Sequence, residues 1–185
     1  MAYGPGATGL LRVPWDNGDR TVLVRPDLGG VTLGWDLHHS AADEMHAAIE
    51  GMAMHVALII ERMQAGGASF SRVINAGGIP QKNDVLNQVY ADVIGQEVHV
   101  PERSPVGVGA CIFAAMIAGS FDTIAEAQER MAPPLRVFSP RPSYVDAYKA
   151  LTALFRDVYF AFGEGRDCDM AAILPALRKF RLGQG

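Results

Sequence analysis

Apolar residues recur every three or four positions through the middle of the chain. This spacing predicts one long helix with a single apolar stripe, formed by Met45, Ile49, Met52, Val56, Ile59 or Ile60, and Met63. The segment Ser40-Ala41-Ala42-Asp43 precedes the stripe and has the form of a capping box, so the helix is expected to begin there. Gly66-Gly67 follows the last apolar position and supplies a left-handed stop.

Shorter apolar runs between turn residues predict strands. The opening forty residues are rich in Gly, Pro and Asp, and within them only residues 21–24 resemble a strand. Farther along, β-like runs at 72–76 and 97–100 enclose a helical pattern at 83–94 that Gly95 ends. A strand-helix-strand unit of this length usually joins parallel strands of one sheet. Part of the fold should therefore be α/β.

Every element after residue 101 is expected to be helical. Helices are predicted at 106–118, 123–131 and 170–180 from their apolar spacing. Between them, Ser143-Tyr144-Val145-Asp146 predicts the capped start of another helix. One face of that helix is predicted to be apolar, with Val145, Tyr148, Leu151, Phe155, Val158 and Phe162.

Composition and charge narrow the class of protein. A chain of 185 residues with 49% hydrophobic and 19% charged residues is expected to fold as one domain. A net charge of -4 with no Lys/Arg cluster argues against a nucleic acid partner. The longest apolar stretch, 106–121, is short and interrupted by glycine, and residues 1–9 lack the features of a signal peptide, so we expect a cytoplasmic protein without membrane contact.

Cysteine and histidine give little support to a metal site or a disulfide. Cys111 and Cys168 lie far apart in different predicted helices, and both are expected to be reduced and structural. No two of the five histidines are four residues apart, and no cysteine cluster accompanies them. No metal ligand and no catalytic residue is therefore predicted within this chain.

Three segments match, in order, a pattern found in known sugar kinases. The first includes Trp15-Asp16-Asn17-Gly18-Asp19-Arg20-Thr21, similar to a Trp-x-Asn-Gly-Asn-Arg stretch. The second, Asn75-Ala76-Gly77-Gly78-Ile79-Pro80-Gln81-Lys82-Asn83 with Gln88 and Ala91-Asp92-Val93 behind it, resembles an adenosine motif. The third, residues 107–115, is similar to the small-residue helix that follows this motif. The chain thus resembles the C-terminal domain of the FGGY family of carbohydrate kinases, and within it the ribulokinases.

The resemblance implies both a fold and a function. The fold would be an incomplete ribonuclease H-like, actin-like ATPase domain of the α/β class, with a small sheet flanked by helices and a helical C-terminal extension. Residues 1–185 would form a single nucleotide-binding domain without the N-terminal sugar-binding domain. Such a domain would contribute the adenosine site for ATP, while the Mg²⁺ site, the phosphate loops and the catalytic aspartate would lie mostly in the missing half. The chain by itself would then be inactive.

By residue-by-residue match, the resemblance implies a nucleotide site made of Gly77, Gly78, Ile79, Lys82 and Asn83. A glycine pair between a strand and a helix lets the backbone approach a flat ligand without an intervening Cβ. The Asn83 amide offers a donor and an acceptor to a purine edge, although an N-cap for the following helix is an equal alternative. For Lys82 the alternative is an ordinary solvated lysine.

Other parts of the pattern have a structural interpretation beside the functional one. Trp15, Asn17 and Arg20 match the part of the family that faces the interdomain cleft, but an exposed turn with one packed tryptophan fits equally. Asp19 stands where the family pattern has Asn. Residues 107–118 are best interpreted as a packing helix in which small residues let two backbones approach closely.

Two alternatives to the leading function stay open. The chain could be a non-catalytic module that self-associates through the apolar surface left by the missing half. It could also belong to a kinase for another sugar, such as xylulose, ribitol or glycerol, because the sugar pocket is not in this sequence.

Overall fold

The computed structural model describes residues 3–183, which separate into two compact units. Unit one takes in residues 3–69, 89–95 and 140–183 of this range, and unit two takes in 70–88 and 96–139. The secondary structure elements, in chain order, are β1 (Leu11–Val13), β2 (Val31–Leu33), α1 (Ala41–Ala65), β3 (Val73–Ile74), α2 (Gly78–Lys82), α3 (Asp84–Ile94), β4 (Val98–Pro101), α4 (Pro105–Ile117), α5 (Ile124–Met131), β5 (Leu135–Phe138), α6 (Pro142–Glu164) and α7 (Met170–Arg181). The expectation of a single domain stays a prediction.

The long helix α1 begins and ends as predicted. The Ser40 hydroxyl accepts a hydrogen bond from the Asp43 amide, and the Asp43 carboxylate accepts one from the Ser40 amide at 2.8 Å. These reciprocal bonds form the capping box. The Ser40 hydroxyl also donates to the Asp43 carboxylate at 2.7 Å, and this bond, together with the one from the Ser40 amide, holds the pKa of Asp43 down to about 2. Gly67, at φ +88°, turns the chain out of the helix. Both termini therefore follow from local sequence.

The predicted apolar stripe of α1 is only partly right. Its Ile49 is buried, but Met45 and Met63 are 64% and 50% exposed, and the buried face also takes in Gly51 and Met54. A Cβ added at Gly51 would lie 2.1 Å from the main-chain oxygen of Arg12 in β1. This close approach of α1 to β1 requires glycine, so the buried side of the helix cannot be found by following its largest apolar residues.

The first sheet replaces the predicted strand at 21–24. β1 and β2 pair antiparallel, with Leu11 opposite Leu33, while residues 21–24 form no strand. The Asp19 carboxylate accepts hydrogen bonds from the amides of Thr21 and Val22 at 2.9 and 3.0 Å. Because a side chain satisfies these amides, they are not available for a strand ladder.

Unit two contains a second sheet in the order β3-β4-β5. β3 and β4 are parallel, as the strand-helix-strand pattern predicts, and α2 and α3 lie between them in the chain. β5 pairs antiparallel with β4, with Phe138 opposite Val98. The expectation that every element after residue 101 is helical is therefore wrong. The four-residue run of β5 follows Pro133-Pro134 directly, and such a short strand is fixed by its pairing rather than by local pattern.

Three smaller expectations need correction. Helix α6 begins at Pro142 and its N-cap is Arg141, which makes no side-chain cap bond, so the predicted Ser143 cap is wrong. Phe162 was expected on the buried face of α6 but is 48% exposed, and the following residue, Gly163, is buried instead. Cys111 is exposed and Cys168 precedes α7 in a loop; both are free thiols, as expected.

The cores of the two units follow from these elements. In unit one the largest fully buried side chains come from β1 and the residue before it, α1, α6, α7 and the turn that holds Trp15; they are Trp15, Tyr148, Tyr159, Phe155, Leu10, Leu11, Met54, Leu151 and Leu177. In unit two Val98 and Val100 of β4 are fully buried. Small sheets flanked by helices, with a helical C-terminal region, confirm the α/β fold class.

Candidate functional site

The loop between β3 and α3, here called the glycine loop (residues 75–83), carries all five predicted nucleotide-binding residues. The Asn75 amide donates to the His99 main-chain oxygen at 2.9 Å, which continues the pairing of β3 with β4. Gly77 has φ +129° and ψ 176°, a conformation that side-chain-bearing residues rarely adopt. At Gly78, no atom lies within 4 Å of the place where a Cβ would be. The backbone at Gly78 is thus open to a ligand.

A buried asparagine that sequence reasoning missed holds the glycine loop in place. Asn87, fully buried in α3, donates from its amide nitrogen to the Pro80 main-chain oxygen at 2.7 Å. Its amide oxygen accepts from the Asn75 side chain at 3.1 Å. The two bonds tie both ends of the Gly77-Gly78 turn to one helix. The available signal was an asparagine beside apolar residues of the α3 pattern, since an amide that becomes buried there needs hydrogen-bond partners.

Asn83 serves as the N-cap of α3. Its side-chain oxygen accepts a hydrogen bond from the Leu86 amide at 3.0 Å, so the capping alternative is confirmed. Among residues 3–183, nothing accepts a hydrogen bond from its side-chain nitrogen. The cap uses one lone pair of the Asn83 oxygen and leaves the donor role of its side-chain nitrogen available to a ligand.

Ile79 and Lys82 present their side chains to solvent. Ile79 is 68% exposed, and Lys82 is exposed and makes no ion pair with a described residue. An exposed apolar side chain beside an unpaired cation is compatible with a ligand that has a flat ring and negative charge. The solvated-lysine alternative for Lys82 is equally consistent with this exposure.

An arginine from β5 supports the same loop, and sequence reasoning did not find it. Arg136 donates to the Gln81 main-chain oxygen at 3.2 Å and to the Asp84 carboxylate at 2.8 Å. Gln81 in turn donates from its side chain to the Pro101 main-chain oxygen at 3.3 Å. The far end of the glycine loop is thereby fixed to β4 and β5. No signal for this contact existed in the sequence, because β5 itself was not predicted.

The remaining residues of the second motif contribute to architecture. Gln88 donates to the Ser139 main-chain oxygen at 2.9 Å. The Asp92 carboxylate is fully buried and accepts from the Arg141 amide at 2.7 Å and from its guanidinium group. The hydrogen bond to Asp92 raises the pKa of Arg141. These contacts join secondary structure elements within each unit.

The first motif forms an exposed turn over a packed tryptophan. Trp15 is 1% exposed and lies 4.8 Å from the Tyr159 ring, while Asn17 and Arg20 are exposed and hydrogen-bond to each other at 3.1 Å. Asp19 is fully buried and also accepts from the Tyr159 hydroxyl. Burial alone would raise the pKa of Asp19, but these hydrogen bonds outweigh it and hold the pKa below its ordinary value. Asp19 organises this turn.

The small-residue helix α4 is largely uncovered. Nothing lies within 4 Å of a Cβ added at Gly107 or Gly109, and Val106, Phe113 and Ile117 are 81%, 62% and 89% exposed. Only Ile112 is buried. Helix α4 packs against α5, but its glycines lie in open space and do not provide the close backbone approach expected of this helix.

Two broader features of the described chain bear on its chemistry. Within residues 3–183, no three His, Cys, Asp or Glu side chains come together as a metal-binding group. Each helix in the same range is too short or too polar to span a membrane.

Comparison with known proteins decides the family. Residues 1–118 match the C-terminal domain of the FGGY family of carbohydrate kinases. The chain belongs to this family. A ribulokinase of Shouchella clausii is 35% identical over 183 residues, which cover 96% of this chain and 32% of that protein. The chain therefore spans about a third of the length of the curated relatives that it matches.

Comparison with solved structures shows that this chain has the fold of known sugar kinases. A ligand-bound xylulose kinase of Lactobacillus acidophilus matches 88% of this chain and 33% of its own, with TM-score 0.74 and 19% identity. A glycerol kinase of Plasmodium falciparum with ADP matches 80% of this chain and 31% of its own, with TM-score 0.61 and 19% identity. At these identities the likeness shows the fold, which is that of the FGGY sugar kinases.

Proposed function

We propose that this chain forms the adenosine-binding part of an ATP-dependent pentulose kinase that converts L-ribulose to L-ribulose 5-phosphate. The observation that carries the proposal is the open backbone at Gly78 in a loop fixed at both ends. Family membership supports the kinase class, and relatives named ribulokinase support the sugar. The glycerol kinase solved with ADP supports a nucleotide as the ligand of this domain.

The glycine loop residues have distinct roles in this proposal. Gly77 and Gly78 let the main chain contact the flat face of the nucleoside, and Ile79 adds an apolar contact. Asn83 donates a hydrogen bond from its side-chain nitrogen to an acceptor nitrogen of the purine, while its oxygen caps α3 through the Leu86 amide. Lys82 adds positive charge that attracts the anionic nucleotide.

The chemical step needs groups from outside this chain. Phosphoryl transfer requires loops that hold the phosphates, carboxylates that hold Mg²⁺ and a base for the sugar hydroxyl. The described residues contain no metal-binding group, so Mg²⁺ would be held mostly by the rest of the enzyme together with ATP. Catalysis is accordingly proposed for the full-length kinase, with this chain inactive alone. The cytoplasm is the proposed compartment, because ATP is available there.

Gly78→Val in the full-length kinase tests the proposal. A side chain at Gly78 has free space, so the variant should fold normally and obstruct only a ligand. Gly77 is less suitable, because its φ of +129° would add strain. We expect the Michaelis constant for ATP to rise at least about tenfold, equivalent to about 1.4 kcal/mol of binding, with that for the sugar unchanged.

Matched variants make the result specific. Gly29→Val also adds a side chain in free space, but far along the chain from the glycine loop, and should leave both Michaelis constants unchanged. Asn83→Ala should raise the Michaelis constant for ATP and also weaken the α3 cap, whereas Asn83→Asp keeps the cap acceptor and removes the donor. An unchanged Michaelis constant for ATP in Gly78→Val and Asn83→Asp would refute the proposal.

The exposed face of α4 favours a second candidate, a self-associating module without catalysis. Three exposed apolar side chains recur along this helix: Phe113 lies two turns after Val106, and Ile117 lies one turn after Phe113. Exposed apolar surfaces of this kind tend to acquire partners. A tight dimer in sedimentation, with no nucleotide binding, would support this candidate. Xylulose, ribitol and glycerol remain alternative substrates, distinguished by the relative kcat/KM of the full-length kinase for each sugar.

A further inference from the structure

A cavity in unit one is lined by residues outside the glycine loop. It has a volume of about 640 Å³ and is lined by the segment around Trp35 and by helix α7. This volume is in the range of small-molecule sites. None of its lining residues belongs to the glycine loop or to the Trp15–Thr21 turn.

The apolar wall of this cavity includes a tryptophan that is held in place but half exposed. Trp35 is 49% exposed, and its ring packs edge-on against His39 with centroids 5.5 Å apart. His39 is fixed from both sides, by the Thr8 main-chain oxygen at 2.7 Å and the Asp36 amide at 2.9 Å. The indole is therefore supported by an ordered neighbour and still offers a ring surface to a ligand.

Two leucines continue the apolar wall from α7. Leu174 and Leu182 are 55% and 63% exposed, and both line the cavity with Trp35. Isolated apolar residues on a surface are ordinary, but a grouped set around a concavity marks a binding site more often.

The polar lining carries an excess of positive charge. Arg178 and Arg181 both line the cavity, and Asp36 is the one carboxylate among the lining residues that the structure describes. Arg181 pairs with Asp36. Arg178 makes no ion pair with any residue in 3–183, so its guanidinium group is available to an anion.

The main chain beneath the cavity is tightly constrained. Gly34, which lines the cavity, has φ +95°, and a Cβ there would lie 2.2 Å from the Gly9 main-chain oxygen. Only glycine fits this position. The segment that presents Trp35 is thus fixed at Gly34 on one side and through His39 on the other, which preorganises the site.

We propose that this cavity binds a small aromatic anion, with its ring on Trp35 and Leu174 and its anionic group on Arg178. The combination of an exposed indole and an unpaired guanidinium group defines this ligand class, since neither a neutral aromatic molecule nor an inorganic anion would use both. The site shares no residue with the proposed nucleotide site.

The test uses 1-anilinonaphthalene-8-sulfonate as the aromatic anion, titrated into the 185-residue chain. The chain has two tryptophans, of which Trp15 is buried and Trp35 lines the cavity. Energy transfer from Trp35 to the bound dye should therefore saturate with one dye per chain. N-phenyl-1-naphthylamine, the uncharged analogue, should bind at least about tenfold more weakly, equivalent to about 1.4 kcal/mol.

An exposed arginine and the exposed lysine next to it in α7 provide matched variants. Arg178→Gln should weaken dye binding at least about tenfold, whereas Lys179→Gln removes a neighbouring charge that does not line the cavity and should have no effect. Trp35→Leu should weaken binding of both dyes. Equal binding by wild type and Arg178→Gln, equal binding of the two dyes, or loss of dye binding in Gly78→Val would each overturn the proposal. Dimerisation that closes the cavity would also overturn the proposal, and it would be seen as dye binding per chain that decreases as the protein concentration rises.

Discussion

Replacing Gly51 by alanine should destabilise the chain although glycine is a poor helix former. Gly51 lies within α1, where an exposed Gly→Ala change usually gains up to about 1 kcal/mol. At this position, however, the new Cβ would lie 2.1 Å from the Arg12 main-chain oxygen and 3.1 Å from its carbonyl carbon. The steric cost therefore opposes the gain in helix propensity.

The magnitude follows from the atoms that must move. A methyl carbon and a carbonyl oxygen need a separation about 1 Å greater than 2.1 Å. The added Cβ is attached to the main chain of α1 and the oxygen belongs to the main chain of β1, so neither can move away alone. Overpacking of a buried contact costs about 1–3 kcal/mol, occasionally more. Because 2.1 Å is far inside contact distance, the cost lies at the upper end of this range, and subtracting about 1 kcal/mol of helix propensity leaves a net loss of about 2 kcal/mol for Gly51→Ala.

Denaturant unfolding followed by far-UV circular dichroism measures this difference. Gly107→Ala in α4 is the control, because nothing lies within 4 Å of the added Cβ there, and it should be neutral or stabilising by up to about 1 kcal/mol. A Gly51→Ala variant as stable as wild type, or stabilised as much as Gly107→Ala, would refute the close packing of α1 on β1.

Two further variants test the hydrogen-bond networks. Ser40→Ala should cost about 1 kcal/mol at neutral pH through loss of the α1 cap, and NMR titration should show the pKa of Asp43 rising from about 2 toward its ordinary value of 3.8. Because folding depresses the pKa of Asp43, this stabilisation is present above pH 3.8 and is lost as the pH falls toward 2. A difference in unfolding free energy between wild type and Ser40→Ala that does not change as the pH falls would contradict this explanation. Tyr148→Phe should cost about 1–3 kcal/mol in denaturant unfolding, because the buried Glu50 carboxylate loses a hydrogen bond of 3.0 Å. Tyr144→Phe, which removes a hydroxyl without a described hydrogen bond, is its control, and equal stability of these two variants would refute the role of Glu50.

Local signals in the sequence predict several elements correctly. The Ser40 capping box, the Gly67 stop and the parallel pairing of β3 with β4 all depend on neighbouring residues or on one short crossover. Each is confirmed. Family membership was likewise predictable, because the three motifs occur in order along the chain.

Long-range contacts account for the errors. The buried face of α1 depends on Gly51 meeting Arg12. The absence of a strand at 21–24 is the exception, because Asp19 accepts from the amides of Thr21 and Val22, which are only two and three residues away. β5 exists because it pairs with β4. In the glycine loop, the sequence located the candidate residues, but Asn87 and Arg136, which hold the loop, act over 7 to 55 residues of separation.

Calorimetric titration of the chain with ADP tests the central claim most directly. The account predicts weak binding that adenosine also shows, that added sugar does not change, and that Gly78→Val abolishes while Gly29→Val preserves. Absence of binding at millimolar ADP, or binding that is the same in Gly78→Val as in wild type, would contradict a preformed adenosine site at the glycine loop.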